Sequence, residues 1–270
     1  MKRDMNGNDF FVKQFEEASI CKKVITIHQQ LEKIQFPYSQ PLTYFSNQKI
    51  MQRWLKGYQP AEFSLEKDRR LTFEALCSLH RTNEQIDWHQ FGEIPKNSLK
   101  EKWKSRIKKF KQQKRALISL LGNDDYETIL ELAIKTHKQL KDFDDEYVTL
   151  CHGDVAHHNF LHKDNDIKII DFDLAYLGDP TEELILWVLR ILPFIDYDIM
   201  KLFEELPGLR KIQNKITYLS FPNELMRESL FLVKLPIAKR GQFQQFFEPF
   251  KDQAIKNRGK LSQQIEQLRI

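Results

Sequence analysis

The residues that could perform chemistry in this chain are concentrated in one stretch between two apolar segments. The stretch begins with His152-Gly153-Asp154, continues to Asn159, and ends with Asp171-Phe172-Asp173 after the apolar run Ile167–Ile170. Asn159 offers a neutral oxygen and Asp171 a charged one, and Mg²⁺ prefers oxygen ligands that it shares with substrate phosphates. These residue types could therefore hold a divalent cation at the end of a strand.

The spacing of these residues resembles the protein-kinase set H-R-D-x-x-x-x-N followed by D-F-G. The interval between aspartate and asparagine is the same, but Gly153 replaces the arginine and Asp173 replaces the glycine. These two replacements resemble the aminoglycoside phosphotransferase and choline kinase family, whose pattern is HGDxxxxN and then an apolar strand ending in IDF or IDW. Several polar identities at fixed spacing make the match specific.

Three further segments resemble the same family. Residues 54–57 (WLKG) are similar to its WLxG hinge, and residues 75–80 (ALCSLH) are similar to its LAxLH helix. Residues 178–184 (GDPTEEL) resemble its GDPxxDL segment, with Glu183 in place of an aspartate. The lysine-rich segment after SLH also resembles the spore-coat kinase-like branch of bacilli.

The resemblance implies an α+β, protein kinase-like fold with two lobes. The small lobe would span residues 1–55 with a shortened β sheet. The mostly helical second lobe would span residues 56–270 and carry a catalytic hairpin at 147–184.

The resemblance also implies a role for each matched polar residue. Asp154 would accept the proton of an acceptor hydroxyl, because a loose transition state needs orientation more than strong deprotonation. Asn159 and Asp171 would bind Mg²⁺. Residues that would support the site are His152, Asp173 and Glu183. Asp173 could instead join the metal ligands or bind an acceptor amine.

The N-terminal segment predicts a small sheet and one helix. Residues 9–15 are aromatic and β-branched, which is typical of a strand. Residues 16–35 have apolar side chains at helical spacing, and residues 42–45 and 49–55 predict two strands across a turn.

Kinase-like folds use a strand lysine to bind the α- and β-phosphates, and Lys13 is the candidate here. Near Gln52 and Trp54, backbone groups would meet the adenine edge; the alternative is an ordinary hairpin with a buried Trp54. A glutamate that pairs with Lys13 is hard to assign. The family helix commonly carries it where this chain has Ile27 or His28, which leaves Glu17 as a weak candidate.

A glycine-rich loop over the phosphates is expected to be missing. Kinase-like small lobes begin with two strands joined by such a loop. Only twelve residues precede Lys13, and Gly7 is their one glycine. We therefore expect either a trimmed lobe, a covering element such as a protein partner, or a loss of nucleotide binding.

The remaining segments predict helices at 64–82, 100–121, 126–141, 181–193 and 197–205, packed helices over 218–250, and a polar helix at 251–270. Ser64 and Thr181 are the candidate N-caps. An acidic link, Asp142–Glu146, leads into a strand at 147–151. The basic face of 100–121 is interpreted as solvated, with a dock for an anionic surface as the alternative. Aromatic residues that could hold a cationic acceptor, with core packing as the alternative, are Tyr176, Trp187 and Tyr218.

Composition limits the other classes of function. A net charge of +4, from 42 basic and 38 acidic residues, does not indicate nucleic-acid binding. Cys21, Cys77 and Cys151 do not suggest a disulfide framework. No signal peptide or membrane span is evident, so we expect a cytoplasmic protein, with spore association as an option.

A zinc or two-metal hydrolase is the rival chemistry, because His152, Asp154, His157 and His158 are close in sequence. The spacing is not H-E-x-x-H, and this hypothesis leaves Asn159 unexplained. His157 and His158 are then loop residues that would line an acceptor site.

Two functions follow from the sequence. The first is a phosphotransferase that uses ATP (or GTP) and Mg²⁺ to modify a hydroxyl of a small molecule, with a cationic acceptor as an option. The second is a catalytically weak kinase-like protein with a binding or assembly role, for example in a spore coat.

Overall fold

The computed structural model describes residues 2–3, 9–141 and 148–269. The chain divides into two compact units. Unit 1 contains Met1–Asn97 and Asp145–Glu183, and unit 2 contains Ser98–Asp144 and Leu184–Ile270. The predicted lobe boundary at residue 55 stays a prediction.

Unit 1 begins with a small antiparallel sheet and a helix. Its strands are β1 (Lys2–Arg3), β2 (Asp9–Gln14), β3 (Tyr44–Ser46) and β4 (Lys49–Arg53), in the order β1-β2-β4-β3. Helix α1 (Ala18–Lys33) follows β2 and buries apolar side chains at helical spacing, including Val24, Ile27 and Leu31. In β2, Lys13 lies opposite Ile50 of β4. The strand, helix and hairpin predicted for this segment are confirmed.

Strand β1 pairs with the start of β2, with Lys2 opposite Phe10 and Arg3 opposite Asp9. Residues 4–8, which include Gly7, lie outside the described residues. The expected lack of a glycine-rich loop therefore stays a prediction.

The rest of unit 1 carries the motif residues in the loops that connect short strands. Strands β5 (Gln59–Pro60), β7 (Phe160–Lys163) and β8 (Asp166–Ile169) form one antiparallel sheet, and β6 (Thr149–Cys151) pairs with β9 (Tyr176–Gly178). Helix α2 (Glu66–His80) contacts both β6 and β8. Of the predicted link and strand before this hairpin, Asp142–Glu146 and Tyr147 lie outside the described residues.

The two predicted caps are wrong. Ser64 does not cap α2, because Leu65 occupies the N-cap position; the Ser64 carbonyl instead accepts a hydrogen bond from the buried Arg69 guanidinium. Helix α6 (Pro180–Ile191) begins with a proline, so Thr181 lies inside the helix and is not its cap. The backbone N–H of Thr181 donates to the side chain of Asp179 at 2.7 Å. Proline suits this first helical position because its N–H would lack a helical partner.

The remaining helices are α3 (Leu99–Gln112), α4 (Lys114–Leu121), α5 (Asn123–His137), α7 (Ile199–Glu205), α8 (Asn223–Lys234), α9 (Ile237–Lys256) and α10 (Arg258–Leu268), with 3₁₀ turns over Pro207–Ser220. One predicted helix, 100–121, is in fact two. It breaks at Gln113, where residues 111–115 are all exposed and no buried side chain holds the turn.

Buried aromatic residues form much of the core of unit 2. Trp103 stacks on Phe221 with ring centroids 3.9 Å apart, and its indole N–H donates to Asn223 at 3.1 Å. Of the three aromatic residues considered for a cationic acceptor, each is at least 96% buried: Tyr176, Trp187 and Tyr218. Their burial supports the packing alternative. In the described part of the chain, no helix has the length and apolar character needed to cross a membrane.

Candidate functional site

The carboxylate of Glu183 lies fully buried at the centre of the candidate site. One of its oxygens accepts the backbone N–H of Gly153 at 2.6 Å. The other accepts the backbone N–H of His152 at 2.9 Å and lies 2.9 Å from His80 Nε2. Although burial raises the pKa of Glu183, contact with His80 and His152 and the hydrogen bond from Gly153 bring it below its ordinary value. Glu183 therefore fixes the backbone of the loop that contains Asp154.

His152 orders the same loop through both of its ring nitrogens. The backbone N–H of Asp154 donates to Nδ1 at 3.3 Å, so Nε2 carries the proton and donates to the Ile170 carbonyl at 2.8 Å. The zinc alternative is not supported at His152, because hydrogen bonds already use both nitrogens of its ring.

Gly153 is required by a close approach between two backbone segments. Its φ is +86°, and a Cβ atom at this position would lie 1.9 Å from the Leu174 carbonyl oxygen. The protein-kinase arginine is therefore excluded at this position by the fold.

Asp154, Asn159 and the end of β8 are joined by direct hydrogen bonds. The side-chain amide of Asn159 donates to the Asp154 carbonyl at 2.8 Å and to its carboxylate at 3.3 Å. The backbone carbonyl of Asn159 accepts the backbone N–H of Ile170 at 3.0 Å. Asp171 is the next residue, so the predicted proton acceptor and the two predicted metal ligands lie together.

Asp171 and Asp173 both face Lys13. Lys13 Nζ lies 2.8 Å from Asp171 Oδ1 and 2.7 Å from Asp173 Oδ2. Asp171 has a left-handed backbone with φ of +66°, and its side chain accepts the Asp173 backbone N–H at 3.4 Å.

These contacts shift the pKa values of all three side chains. Burial would lower the pKa of Lys13, but hydrogen bonds to both aspartates raise it above its ordinary value. Burial would raise the pKa of Asp171, but Lys13 lowers it. Burial and the neighbouring charge of Asp171 together raise the pKa of Asp173. Asp171 is therefore the more strongly ionised member of the carboxylate pair.

Among the described residues, the carboxylates that pair with Lys13 are these two aspartates, and Glu17 is not one of them. Where the family helix commonly carries its glutamate, α1 holds the buried His28. The ring of His28 packs edge-on against Phe172, with ring centroids 5.3 Å apart. Burial lowers the pKa of His28 to about 4, so the ring is neutral at physiological pH.

Lys13, Asn159 and Asp171 line a cavity of about 530 Å³ in unit 1. Gln52 and Trp54 also line it, so the structure brings the predicted hinge to the same cleft. Trp54 is 48% exposed, so the alternative with a buried Trp54 is wrong. Its backbone N–H donates to the Asp9 carbonyl at 2.8 Å, and its own carbonyl accepts the backbone N–H of Lys56 at 3.0 Å.

A second cluster in unit 1 has metal-ligand residue types but is structural. The ligand atoms of His80, Cys151 and Glu183 lie within 4.8 Å of one another. Glu183 is used by its three hydrogen bonds, and burial raises the pKa of the Cys151 thiol well above its ordinary value. Without a bound metal the thiol is therefore protonated.

Two residues of this region have contacts that the sequence analysis did not predict. Lys23 is 7% exposed and donates from α1 to the backbone carbonyls of Asp173 and Ala175. A lysine between Ile20 and Ile27 on the apolar face of α1 was the available signal. Gln40, which donates to the Arg53 carbonyl beside the cavity, gave no such signal.

Comparison with known proteins agrees with this architecture. The model of the phosphotransferase enzyme family matches residues 6–198. A comparison with curated protein sequences gives no match. The family predicted from the sequence is confirmed, whereas the spore-coat branch stays a prediction.

Solved structures resemble most of the chain at low identity. An aminoglycoside phosphotransferase from Alicyclobacillus acidocaldarius subsp. acidocaldarius DSM 446 is 16% identical, with a TM-score of 0.68 over 98% of this chain and 89% of its own. Choline kinase LicA from Streptococcus pneumoniae is 11% identical, with a TM-score of 0.55 over 95% and 88%. Amicoumacin kinase hAmiN, in complex with AMP-PNP, Ca²⁺ and Ami, is 12% identical, with a TM-score of 0.58 over 93% and 84%. These likenesses confirm the predicted α+β kinase-like fold.

Gly153→Ala tests the close approach of the two loops. We expect a loss of at least about 1–3 kcal/mol in the free energy of unfolding, because the left-handed backbone and the Leu174 carbonyl both oppose a Cβ atom. Urea unfolding measures the loss. Gly92→Ala is the control, since its Cβ would have no neighbour within 4 Å. Equal stability of the two variants would show that no close contact with the Leu174 carbonyl restricts position 153.

Glu183→Gln tests the buried carboxylate. We expect a loss of about 3–5 kcal/mol, because an amide cannot accept all three hydrogen bonds. The lowered pKa means that the carboxylate stabilises the fold above its unfolded pKa of about 4.3 and loses this effect as pH falls through the folded value. The parent's stability should therefore fall more steeply than the variant's below about pH 4.3. Parallel unfolding curves across this range would show that Glu183 is not the titrating group.

Proposed function

Because the chain belongs to the phosphotransferase enzyme family, we propose that it transfers the γ-phosphoryl group of a nucleoside triphosphate to a hydroxyl of a small molecule. The observation that carries the proposal is the direct connection of Asp154, Asn159 and the strand end before Asp171. A proton acceptor and two oxygen ligands for a cation then lie beside one cavity, which is the arrangement that phosphoryl transfer needs.

The cavity has the size and lining expected for a nucleotide. Its volume of about 530 Å³ is within the usual range for a ligand pocket, roughly 300–1,000 Å³. Apolar side chains such as Phe11, Ile50 and Leu161 suit the faces of a purine, and Lys13 supplies a cation for the phosphates. The structural neighbour with bound AMP-PNP supports this use of the cleft. ATP and GTP both fit the proposal.

Asn159 and Asp171 fit the needs of a Mg²⁺ ion. The amide nitrogen of Asn159 donates to Asp154, so its oxygen is the atom left for a cation. The side chain of Asp171 is 45% exposed, which leaves room for the water ligands that Mg²⁺ keeps. Bound Mg²⁺ would neutralise charge on the β- and γ-phosphate oxygens.

Asp154 would orient the acceptor. Its carboxylate receives a hydrogen bond from Asn159, which limits its rotation. The acceptor oxygen would form a bond to the γ-phosphorus while the bond from that phosphorus to the bridging oxygen breaks. The hydroxyl proton would pass to Asp154, and the nucleoside diphosphate would leave with the bridging oxygen.

A non-catalytic binding or assembly role is the second candidate. It is favoured by the ion pairs between Lys13 and both aspartates, because these contacts give the three side chains partners without a nucleotide or metal. Such a protein would keep the fold and lack turnover. The acceptor's charge, a covering protein partner, a cytoplasmic location and spore association stay predictions.

Asp171→Asn separates these two functions. At a Mg-nucleotide concentration of about 100 times Kd, binding stabilises a protein by about 2.7 kcal/mol, which raises Tm by roughly 5–10 °C. We expect this rise in the parent and its loss in Asp171→Asn, measured with Mg-ATP and Mg-GTP. Asp164→Asn is the matched control, since Asp164 also has a positive φ. No rise in the parent with either nucleotide would favour the binding role.

Asp154→Asn tests the proton acceptor. We expect kcat to fall about 10²–10⁴-fold, while Mg-nucleotide still raises Tm, because the variant loses the base and keeps the nucleotide site. A panel of amino alcohols, sugars and nucleosides, assayed for nucleoside diphosphate release, measures turnover. If Asp154→Asn turned over as fast as Asp164→Asn, the role of Asp154 would be wrong.

A further inference from the structure

The carboxylates that hold Lys13 come from one tripeptide, Asp171-Phe172-Asp173. Lys13 Nζ lies at nearly equal distances from Asp171 Oδ1 and Asp173 Oδ2, 2.8 and 2.7 Å. The left-handed backbone of Asp171 reverses the chain and brings the two side chains to the same lysine. The lysine side chain is 23% exposed, so these ion pairs are partly shielded from solvent.

Helix α1 contributes the opposite charge to this region. Kinase-like sites pair the strand lysine with a helix glutamate. Here α1 carries neutral His28 at the position where the family helix commonly carries that glutamate, and it inserts the buried Lys23 five residues earlier. Lys23 Nζ donates to the backbone carbonyls of Asp173 at 2.7 Å and Ala175 at 3.0 Å. The helix therefore supplies a cation, and the loop supplies the carboxylate.

From this exchange of charges we propose that Asp173 is the positioning residue for Lys13 and that Lys23 holds Asp173 in place. The inference rests on the proposed function, in which Lys13 binds the nucleotide phosphates. It also explains why two aspartates face one lysine. When Asp171 serves a divalent cation, Asp173 remains as the counter-charge that keeps Lys13 extended toward the cleft.

Two other roles for Asp173 make different predictions. As a metal ligand, Asp173 would control the Mg²⁺ requirement, and Lys13 would be irrelevant to its effect. As a ligand for an acceptor amine, it would change the KM for the acceptor and leave nucleotide affinity unchanged. A positioning role acts on nucleotide affinity only through Lys13.

The first experiment needs neither nucleotide nor metal. Amine acylation of Lys13 is followed by peptide mass spectrometry in the parent, Asp173→Asn and Asp164→Asn proteins. We expect Asp173→Asn to increase the rate of Lys13 modification several-fold, because the ammonium group loses one of its two partners. Asp164→Asn should match the parent. An unchanged rate in Asp173→Asn would overturn the proposal.

The second experiment is a double-variant cycle with Lys13→Met and Asp173→Asn. ADP affinity is measured by calorimetry in the presence of EDTA, after thermal melting has shown that each variant is folded. We expect Asp173→Asn to weaken ADP binding about tenfold when Lys13 is present and to have no effect beside Lys13→Met, since residues in contact couple strongly. Independent, multiplying losses would overturn the proposal.

The Mg²⁺ concentration that gives half-maximal turnover completes the test. Asp173→Asn should leave it unchanged, whereas a raised requirement would make Asp173 a metal ligand and overturn the positioning role. If the parent binds no ADP at all, the proposed function fails, and the acylation rate alone decides whether Asp173 holds Lys13.

Discussion

The buried carboxylate of Glu183 is the interaction on which the candidate site depends. A charge with no exposure to water is tolerated only when hydrogen bonds replace its hydration. Here two backbone N–H groups of the loop and His80 of α2 do so. The same bonds satisfy backbone donors that would otherwise be buried without partners. The start of α6, the end of α2 and the loop before Asp154 are thus fixed together.

Charge is balanced locally at the edge of the cavity. Lys13 and Lys23 bring two positive charges to a segment that contains Asp171 and Asp173. Lys23 reaches backbone carbonyls, so the two aspartates share one ammonium group. Burial and the neighbouring charge of Asp171 raise the pKa of Asp173, whereas Lys13 outweighs burial at Asp171 and lowers the pKa of that group. The tripeptide therefore carries two carboxyl groups whose pKa values are shifted in opposite directions.

The parts of the molecule that the sequence predicts well have either strong periodicity or fixed polar spacing. Helix α1 and strand β2 follow from their apolar patterns, and the closeness of Asp154, Asn159 and Asp171 follows from their motif. The two cap predictions, at Ser64 and Thr181, were wrong because neighbouring groups compete for the same hydrogen bonds. The residue type at one position does not specify which group forms the bond. The break at Gln113 depended on which side chains the fold leaves exposed. The partners of Lys13 were missed because contacts across 158 residues of chain have no local signal.

The contact between Gly153 and the Leu174 carbonyl also restricts how this sequence can change over evolutionary time. Any side chain at position 153 would push the two loops apart. An arginine at this position would require the segment around Leu174 to move as well. A single substitution therefore cannot convert the glycine form of this loop into the arginine form.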